Sequence, residues 1–465
     1  MSIAAPRFES IEAYEEHFDP NWIVPFPGVD REYIWTYPLA LQKISIKSNN
    51  DFIFSKQWPE QRLTIYIHVP YCKSSCPFCA FMHTILDEKQ LESYVDCLIK
   101  EIQWYSKHPG VQNTKLTAVY FGGGTASLLK PSHIDRILVA LKIGFNLSPD
   151  VEVSLECHPD TIDYQYLDQV KSKGVNRISI GVQSFNPKNL QLIGRKQSAP
   201  HAFDMVSYAS EIFKTVSVDI IYRIPNQSAK SAIKDIKKAI DIGVQSISTY
   251  SLETSDTLLS DISMHQASDE ADKNMFFTIR KFLLDAGFIH MAQPDYCLPN
   301  HENKYLKGFW SAPQALNLGL GAGGHSGWFA GYTFCNMQDP GDYIELISNE
   351  QLPIILNQKI DKTEAMARYF VLGFRGISVP LEPFERIFGE SPNNIFFDQF
   401  ESLRKIGLIG ASENEWYLSE LGEYYVDTVS KHFYTKTCKG KKVPWGSDIK
   451  CFKPNIYYSM LTPWA

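Results

Sequence analysis

The chain has 465 residues, of which 44% are apolar and 21% are charged, which is typical of a folded globular protein with more than one domain. No stretch approaches the roughly 18 consecutive apolar residues that a membrane-spanning helix requires. A net charge of −7 gives no electrostatic basis for nucleic-acid binding. We therefore expect a multidomain protein without a membrane span and without a nucleic-acid partner.

Residues 1–60 are rich in proline and aromatic side chains and show neither a helical nor a strand period, which predicts an irregular N-terminal extension. The first residues include early acidic side chains and lack the apolar segment of a signal peptide, so a cytoplasmic location is expected. Nine cysteines are an odd number, and three of them crowd into residues 72–79. That grouping favours a metal or cluster site over disulfides.

From Leu63 onward, short β-branched runs alternate with amphipathic stretches, which is the pattern of repeated βα units. Six runs are predicted as strands, and they begin at Leu63, Leu116, Val151, Asn176, Val216 and Gln245. Strands that alternate with helices form a parallel sheet with right-handed crossovers. The predicted fold class is therefore α/β, with a partial (β/α)6 barrel over residues 61–290 and its functional groups at the carboxyl ends of the strands.

The rest of the chain is predicted to form three further parts. Residues 291–360 continue from a barrel-covering helix as a less regular segment on the substrate side of the barrel. Residues 361–435 read as three helices, a short β-wing and a closing helix, an order that resembles a winged helix but lacks a basic recognition helix for DNA. Residues 436–465 form a tail with Cys438 and Cys451, and we assign no role to it.

Cys72, Cys76 and Cys79 form a C-x3-C-x2-C motif directly after the first predicted strand. Three thiolates at this spacing can hold a cubane iron–sulfur cluster and leave its fourth iron open to a substrate or cofactor. A structural zinc site is the alternative, with His68 and His83 as candidate further ligands, although zinc normally takes four ligands from paired groups. A disulfide would leave one of the three cysteines unpaired.

The stretch TIYIHVPYCKSSCPFCAF resembles the cluster motif of the radical S-adenosylmethionine (SAM) superfamily, and in particular the HemN-like group typified by oxygen-independent coproporphyrinogen III oxidase. Blocks similar to that group follow in order, among them VYFGGGTASLL, VEVSLECHPDTI and VSVDIIYRIPNQS. The resemblance implies a radical SAM barrel with a winged-helix-like HemN-type C-terminal domain. It also implies a [4Fe-4S] cluster on the three cysteines, whose electron splits SAM into methionine and a 5′-deoxyadenosyl radical that abstracts hydrogen from substrate.

By the same resemblance, SAM is bound by residues at or near the carboxyl ends of the strands. Glycines at a strand end let a ligand approach the backbone, while carboxylate, amide and guanidinium groups offer polar contacts. A tight turn is the alternative for the glycines, and a satisfied structural residue is the alternative for each polar side chain. The implied SAM-binding residues are Tyr66, Phe78, Gly122, Gly123, Gly124, Thr125, Glu156, Gln183, Arg195 and Asp219.

Three residues are candidates for a catalytic role. Tyr66 and His68 alternate on the first strand and so face the same side, where we expect the site, although a buried histidine bonded to backbone is an equal alternative for His68. Arg223 replaces the glycine that is usual in the family after the fifth strand. Its cation is expected to bind an acidic group of the substrate or to form a surface salt bridge.

Departures from the group bear on the substrate. Ala80 and Phe81 follow Cys79 where the coproporphyrinogen oxidases carry a further cysteine, and the long N-terminal extension is unlike the haem-chaperone branch. Gln197 replaces a histidine that is frequent in the family. The aromatic residues Trp328, Phe329, Tyr332 and Phe334 are predicted either as core or as an apolar wall for a ring substrate.

The expected function is therefore reductive cleavage of SAM to modify a ring-containing substrate, either porphyrin-like or a natural product. Radical C-methylation, which would use two SAM molecules, or another ring modification is the expected reaction. The alternatives are oxidative decarboxylation of coproporphyrinogen III and haem delivery by a chaperone. A flavodoxin- or ferredoxin-type electron donor is the expected protein partner.

Overall fold

A computed structural model of the chain describes residues 62–435 except 80, 109–110, 112–113, 253–267, 312 and 330, together with 34, 36–38 and 42–43. Most of the predicted N-terminal extension and the whole tail, with Cys438 and Cys451, lie outside the described residues, as does Ala80. Within the described residues, no helix is long and apolar enough to cross a membrane.

Six parallel strands form the centre of the fold and confirm the predicted barrel strands. They pair in chain order and are β1 (Arg62–Val69), β2 (Lys115–Gly123), β3 (Asn146–Cys157), β4 (Arg177–Gln183), β5 (Thr215–Tyr222) and β6 (Ser246–Ser251). Strands buried on both faces read as near-continuous apolar runs. β1, with the sequence RLTIYIHV, is buried over most of its length for this reason.

Helices cover the sheet between these strands. They are Glu88–Tyr105, Pro131–Gly144, Tyr164–Lys173, Pro187–Leu192, Ala199–Ile212 and Ala229–Ile242, with Asp269–Asp285 after β6. Short 3-10 turns follow β2 and β3, at Ala126–Leu128 and Pro159–Thr161. Several helices begin at a side chain that accepts a backbone N–H bond, as at Asp87, Asp163, Ser198, Ser228 and Ser268. These caps fix the loops at the carboxyl ends of the strands, where the site lies.

A seventh parallel strand, β7 (Leu316–Leu320), lies beside β1 on the side away from β2, so β1 is an interior strand. The segment that contains it is more regular than predicted. Antiparallel strands His325–Phe329, Tyr332–Asn336, Ile354–Lys359 and Gln42–Lys43 extend the sheet beyond β7, and Asp295–Cys297 and Ile289–Ala292 extend it beyond β6. Helices Lys304–Trp310 and Pro340–Ser348 complete this part. The apolar pattern did not predict β7 because Asn317 and Gly319 interrupt it.

The C-terminal part contains helices and a β-wing, but it has more helices than the four predicted, and one strand of the wing lies between its first two helices. Its helices are Lys362–Gly373, Glu382–Phe388, Pro392–Ile395, Phe397–Lys405, Glu420–Tyr424 and Val426–Lys431, with a 3-10 turn at Phe374–Gly376. Its three strands are Ser378–Pro380, Glu415–Leu418 and Ile409–Ala411. The domain boundaries stay predictions, and the one between 290 and 291 falls inside the strand Ile289–Ala292.

Ion pairs join this part to the barrel. Glu423 accepts hydrogen bonds from Arg280 Nε at 2.5 Å and Nη2 at 2.8 Å, and its Oε2 lies 2.6 Å from His290 Nδ1. Arg375 donates to Asp427 Oδ1 at 2.6 Å and to the carbonyl oxygen of Gln293 at 3.2 Å. The two parts are therefore held together by charged groups that are largely buried.

Candidate active site

A cavity of about 120 Å³ lies at the carboxyl ends of the barrel strands. It brings together all three cysteines of the motif and most of the residues predicted to bind SAM. The predicted residues that line it are Cys72, Cys76, Phe78, Cys79, Gly123, Gly124, Thr125, Glu156, Gln183, Arg195 and Asp219. Phe81, which follows the motif, also lines it.

The cysteine loop is anchored at both ends. Tyr71–Cys72 pairs in parallel with Thr84–Ile85, and the Cys79 amide donates to the carbonyl oxygen of Cys76 at 3.0 Å. Cys72 Sγ lies 3.2 Å from Thr125 Oγ1, and Arg195 Nη1 donates to Cys76 Sγ at 3.1 Å. The loop thus holds two of its sulfur atoms against polar partners from the barrel.

Burial sets the protonation of two of these thiols. It raises the pKa of Cys72 to about 11, against the opposing hydrogen bond from Thr125, and it raises the pKa of Cys79 to about 12, with a further contribution from Cys72. Both are therefore neutral thiols at pH 7 in the metal-free protein. A metal or cluster must displace these protons as it binds, so its affinity rises with pH.

The donor set fits an iron–sulfur cluster. Three thiols from one short loop face a common cavity, as the three-cysteine ligation of a cubane requires. In the described part of the chain, no three His, Cys, Asp or Glu side chains converge as they would around a single metal ion. Ligands of a four-iron cluster do not need to converge in that way, because each thiolate binds a different iron atom.

Polar groups opposite the loop fit a polar ligand. Gln183 ends β4 with a φ of 65°, and its buried Oε1 atom has no hydrogen-bond partner. A buried acceptor without a partner is costly, and a ligand that donates to it would remove that cost. Arg195 is oriented beside it, because Nη2 donates to the Gly181 carbonyl oxygen at 2.9 Å and Nε donates to Gln197 Oε1 at 2.9 Å. The glutamine that replaces the usual histidine therefore positions this guanidinium.

Two carboxyl groups in the cavity have strongly raised pKa values. Burial, together with the nearby charge of Asp219, raises the pKa of Glu156 to about 8. Burial, together with Asp295, raises the pKa of Asp219 to about 7. Glu156 accepts a bond from the Gly123 amide at 3.3 Å, and Asp219 accepts one from Ser179 at 3.5 Å. A cationic ligand would favour the ionised form of both groups.

The glycine run is explained by close packing. A Cβ on Gly122 would lie 2.8 Å from Glu156 Oε2, and one on Gly124 would lie 2.7 Å from the Tyr71 carbonyl oxygen. Gly123 has a φ of 113°, and a Cβ there would lie 2.9 Å from the His68 ring. Glycine therefore lets β2 end directly against the cysteine loop and the Glu156 carboxylate.

Comparison with known proteins reveals a radical SAM domain and several similar proteins. Residues 66–241 match the model of the radical SAM superfamily. The chain is 27% identical to the heme chaperone HemW of Lactococcus lactis over 73% of this chain and 88% of the relative. It is 27% identical to the anaerobilin synthase of Escherichia coli O157:H7 over 81% of this chain and 84% of the relative.

A solved structure shows the same fold. The coproporphyrinogen III oxidase HemN from Escherichia coli, described as a radical SAM enzyme, superposes with a TM-score of 0.74 at 21% identity. The superposition covers 86% of this chain and 96% of that one. The chain therefore contains a radical SAM domain at residues 66–241 and resembles the HemN-like group over most of its length. A radical SAM domain implies a [4Fe-4S] cluster and SAM as cofactors.

Four predicted residues of this radical SAM protein do not line the cavity. Tyr66 is covered, because its ring lies 6.1 Å from that of Tyr120 and 6.0 Å from that of Tyr305. His68 Nε2 lies 3.3 Å from the Met82 carbonyl oxygen, and burial lowers the pKa of this histidine to about 4, so its ring is neutral. Gly122 also lies behind the cavity surface. Tyr66, His68 and Gly122 therefore pack behind residues that line the cavity, such as Glu156 and Gly123.

Arg223 is the fourth, and of its two expected roles its position favours the salt bridge over contact with an acidic group of the substrate, although the side chain is buried rather than on the surface. It is buried, and its Nη2 donates to Asp269 Oδ1 at 3.1 Å, while its Nε lies 4.0 Å from Asp272 Oδ1. Both carboxylates belong to the first turn of the helix Asp269–Asp285. Because opposite charges attract and burial strengthens that attraction, the guanidinium turns toward this helix.

The aromatic segment follows the first of its two predicted interpretations, the core. Trp328, Phe329 and Phe334 are buried in the main core, and Phe329 packs against Tyr105 at a ring distance of 5.7 Å. Neither these three side chains nor Tyr332 line the active-site cavity. Trp328, Phe329 and Phe334 are core residues, and Tyr332 is partly buried and packs against this core.

Other residues of the radical SAM site were missed in the sequence. Four serines and one carboxylate that were not predicted also line the active-site cavity, namely Ser179, Ser217, Ser246, Ser248 and Asp295. The strand period of two could have found Ser179 and Ser217, because each lies on a strand that also carries a predicted site residue, as Ser217 lies two positions before Asp219. No predicted site residue on β6 pointed to Ser246 or Ser248. No sequence signal pointed to Asp295, because it belongs to none of the motifs. Its Oδ1 atom accepts a hydrogen bond of 2.6 Å from Ser248. Tyr120 and His158 also line the cavity.

Proposed function

We propose that this chain binds a [4Fe-4S] cluster through Cys72, Cys76 and Cys79 and uses it to cleave SAM reductively in the modification of a tetrapyrrole-type ring substrate. The observation that carries the proposal is a single cavity in which the three thiols face Glu156, Gln183, Arg195 and Asp219. When bound, the cluster supplies the electron that breaks a carbon–sulfur bond of SAM.

The chain's own residues would bind and orient SAM. Arg195 presents a guanidinium held by Gly181 and Gln197, which suits a carboxylate. Glu156 and Asp219 suit the cationic groups of SAM, since both lie near their ionisation point at neutral pH and a neighbouring cation would deprotonate them. Gln183 Oε1 offers a free acceptor to a hydroxyl or amino group. Tyr66 and His68 would support this cradle without touching SAM.

The substrate class rests on the relatives. Two similar proteins are named after a tetrapyrrole, namely a heme chaperone and a coproporphyrinogen III oxidase. Phe81 lines the cavity where the coproporphyrinogen oxidases have a further cysteine, which favours a reaction other than decarboxylation of coproporphyrinogen III. We therefore propose radical C-methylation or another ring modification, with two SAM molecules if a methyl group is transferred.

Haem delivery is the second candidate, because several relatives are named heme chaperones. Anaerobic reconstitution followed by dithionite and SAM separates the two. The enzyme proposal predicts 5′-deoxyadenosine from the wild-type protein and none from a variant with all three cysteines changed to alanine. S-adenosylhomocysteine in the presence of a porphyrin would support methylation. Stable haem binding without any SAM cleavage would overturn the enzyme proposal in favour of delivery.

A further inference from the structure

A second groove adjoins the cysteine loop at the protein surface. Its volume is about 100 Å³, and it is lined by exposed residues of the loop together with residues that follow β3 and the helix Pro187–Leu192. Ser74, Cys76, Thr125 and His158 line both this groove and the active-site cavity. Cys76 is therefore the cluster ligand that stands between the cavity and the surface.

The groove has a positive charge on a chain whose net charge is −7. Lys73 and Lys196 line it, both are exposed, and neither has a carboxylate within salt-bridge distance among the described residues. Some other exposed lysines are paired with a carboxylate, as Lys237 is with Asp241. Asp160 is the one carboxylate among the described groove residues, and His158 is neutral at pH 7, because burial and Arg195 lower its pKa to about 3.

Arg195 adds a third cation behind the groove, since its Nη1 atom donates to Cys76 Sγ. These cations would attract an acidic protein to the surface beside the cysteine loop. Electron-transfer partners form small, transient interfaces, which a few charges beside a groove can orient.

We propose that this groove, defined by Lys73, Cys76, His158 and Lys196, is the docking site of a small acidic one-electron carrier protein. The inference rests on the proposed function, because only a redox-active cluster needs such a donor. In the step, the donor loses one electron and the cluster gains one, and no bond is made or broken. The electron reaches the cluster at the Cys76 side, which is the part of the loop nearest the groove.

The test uses the reconstituted full chain and reduced flavodoxin as the acidic donor, with stopped-flow bleaching of the cluster's visible absorbance as the readout. In K73E/K196E, reduction by flavodoxin is expected to slow at least about tenfold at low salt and to lose most of its salt dependence. K73Q/K196Q should fall between this variant and wild type. Reduction by photoreduced 5-deazariboflavin, a small neutral donor, should stay within about twofold in every variant.

The matched control is K115E/K405E, which changes the net charge equally. Lys115 begins β2 at the opposite end of the strands, and Lys405 ends a helix of the C-terminal part. Equal slowing in both double variants would overturn the docking site, and so would an unchanged rate in K73E/K196E. If the small donor cannot reduce the wild-type cluster, the proposed function itself fails. Iron content and circular dichroism confirm that the variants are folded and loaded.

Discussion

Arg195 donates a hydrogen bond from Nη1 to the sulfur of Cys76 across 3.1 Å. Its other two nitrogen atoms donate to the Gly181 carbonyl oxygen and to Gln197 Oε1. The planar Arg195 guanidinium is therefore held by Gly181 of β4 and by Gln197. It faces both the cysteine loop and the polar side of the cavity. A lysine has a single nitrogen and cannot make these contacts together.

The first prediction concerns this guanidinium. R195K should weaken SAM binding about tenfold or more, or about 1.4 kcal/mol, because a bidentate partner of the SAM carboxylate becomes a single point charge. The iron content should stay close to that of wild type, because all three thiols remain. Equilibrium dialysis with labelled SAM measures the affinity. R136K is the control, because Arg136 lies on the exposed surface, and equal affinity in both variants would contradict the assigned role.

The second prediction is a rise in SAM affinity with pH. The pKa of Glu156 is raised to about 8 and that of Asp219 to about 7, so both carboxyl groups gain charge between pH 6 and 9. SAM carries a sulfonium cation, and the ionised carboxylates attract it, so the dissociation constant should fall across this range. In E156Q, the part of the change centred near pH 8 should disappear. A pH-independent affinity in wild type would contradict the prediction.

The same two groups affect stability in the opposite direction. The pKa values of Glu156 and Asp219 are higher in the folded state than in the unfolded chain. At pH values between the unfolded-state and folded-state pKa, the folded protein therefore binds more protons than the unfolded chain. The free energy of unfolding of the ligand-free protein should therefore fall as pH rises from about 4 to about 8. E156Q should be less sensitive to pH near 8, as measured by the midpoint of urea unfolding.

The third prediction separates two costs of replacing a glycine. G123A places a methyl group at a φ of 113° and 2.9 Å from the His68 ring, whereas G243A has a φ of 96° but meets nothing within 4 Å. Strain at a positive φ costs about 1–3 kcal/mol, and overpacking adds about as much again. G123A should therefore lower the melting temperature clearly more than G243A and should also reduce iron content. Equal losses would mean that the contact with His68 is unimportant.

The fourth prediction tests whether Arg223 acts in catalysis. Its φ of 63° suits glycine, and its side chain pairs with Asp269 and Asp272 outside the cavity. R223G should therefore cleave SAM within about twofold of wild type, because the side chain that it removes lies outside the cavity. The variant should stay folded, because the relief of about 1–3 kcal/mol of backbone strain offsets part of the stability lost with the ion pairs. D219N, in the cavity, should lose most activity. A loss in R223G as large as that in D219N would restore a role in the reaction.

The fifth prediction concerns the junction with the C-terminal part. Glu423 is nearly buried and pairs with Arg280 and His290, and these hydrogen bonds and charges lower its pKa despite the opposing effect of burial. Its contribution to stability is present above pH 4.5 and is lost as pH falls through the lower folded-state pKa. E423Q should cost about 3 kcal/mol at pH 7, as expected when a buried pair loses one partner. E382Q, which removes an exposed pair with Arg386, should cost less than about 0.5 kcal/mol.

The sequence predicted the strands and the cavity-lining set well, because both depend on local patterns. Strand-end residues such as Glu156 and Asp219 inherit their direction from the period of two. Arg223 could not be placed in this way, because its direction is decided by two carboxylates about 46 positions along the chain. Asp295 was missed for a similar reason, since its partner Ser248 lies on β6, far away in the sequence.

The position of β7 also bears on the order of assembly. β1 carries the chain into the cysteine loop, yet one of its two neighbours is made of Leu316–Leu320, and Thr64 donates to the Leu316 carbonyl oxygen across 252 positions of sequence. Contacts between such distant segments form late, because closing a long loop is entropically costly. A ribosome-bound chain that ends before residue 316 therefore has the three cysteines but not their completed support. We therefore expect stable iron–sulfur insertion to follow the synthesis of residues 316–320.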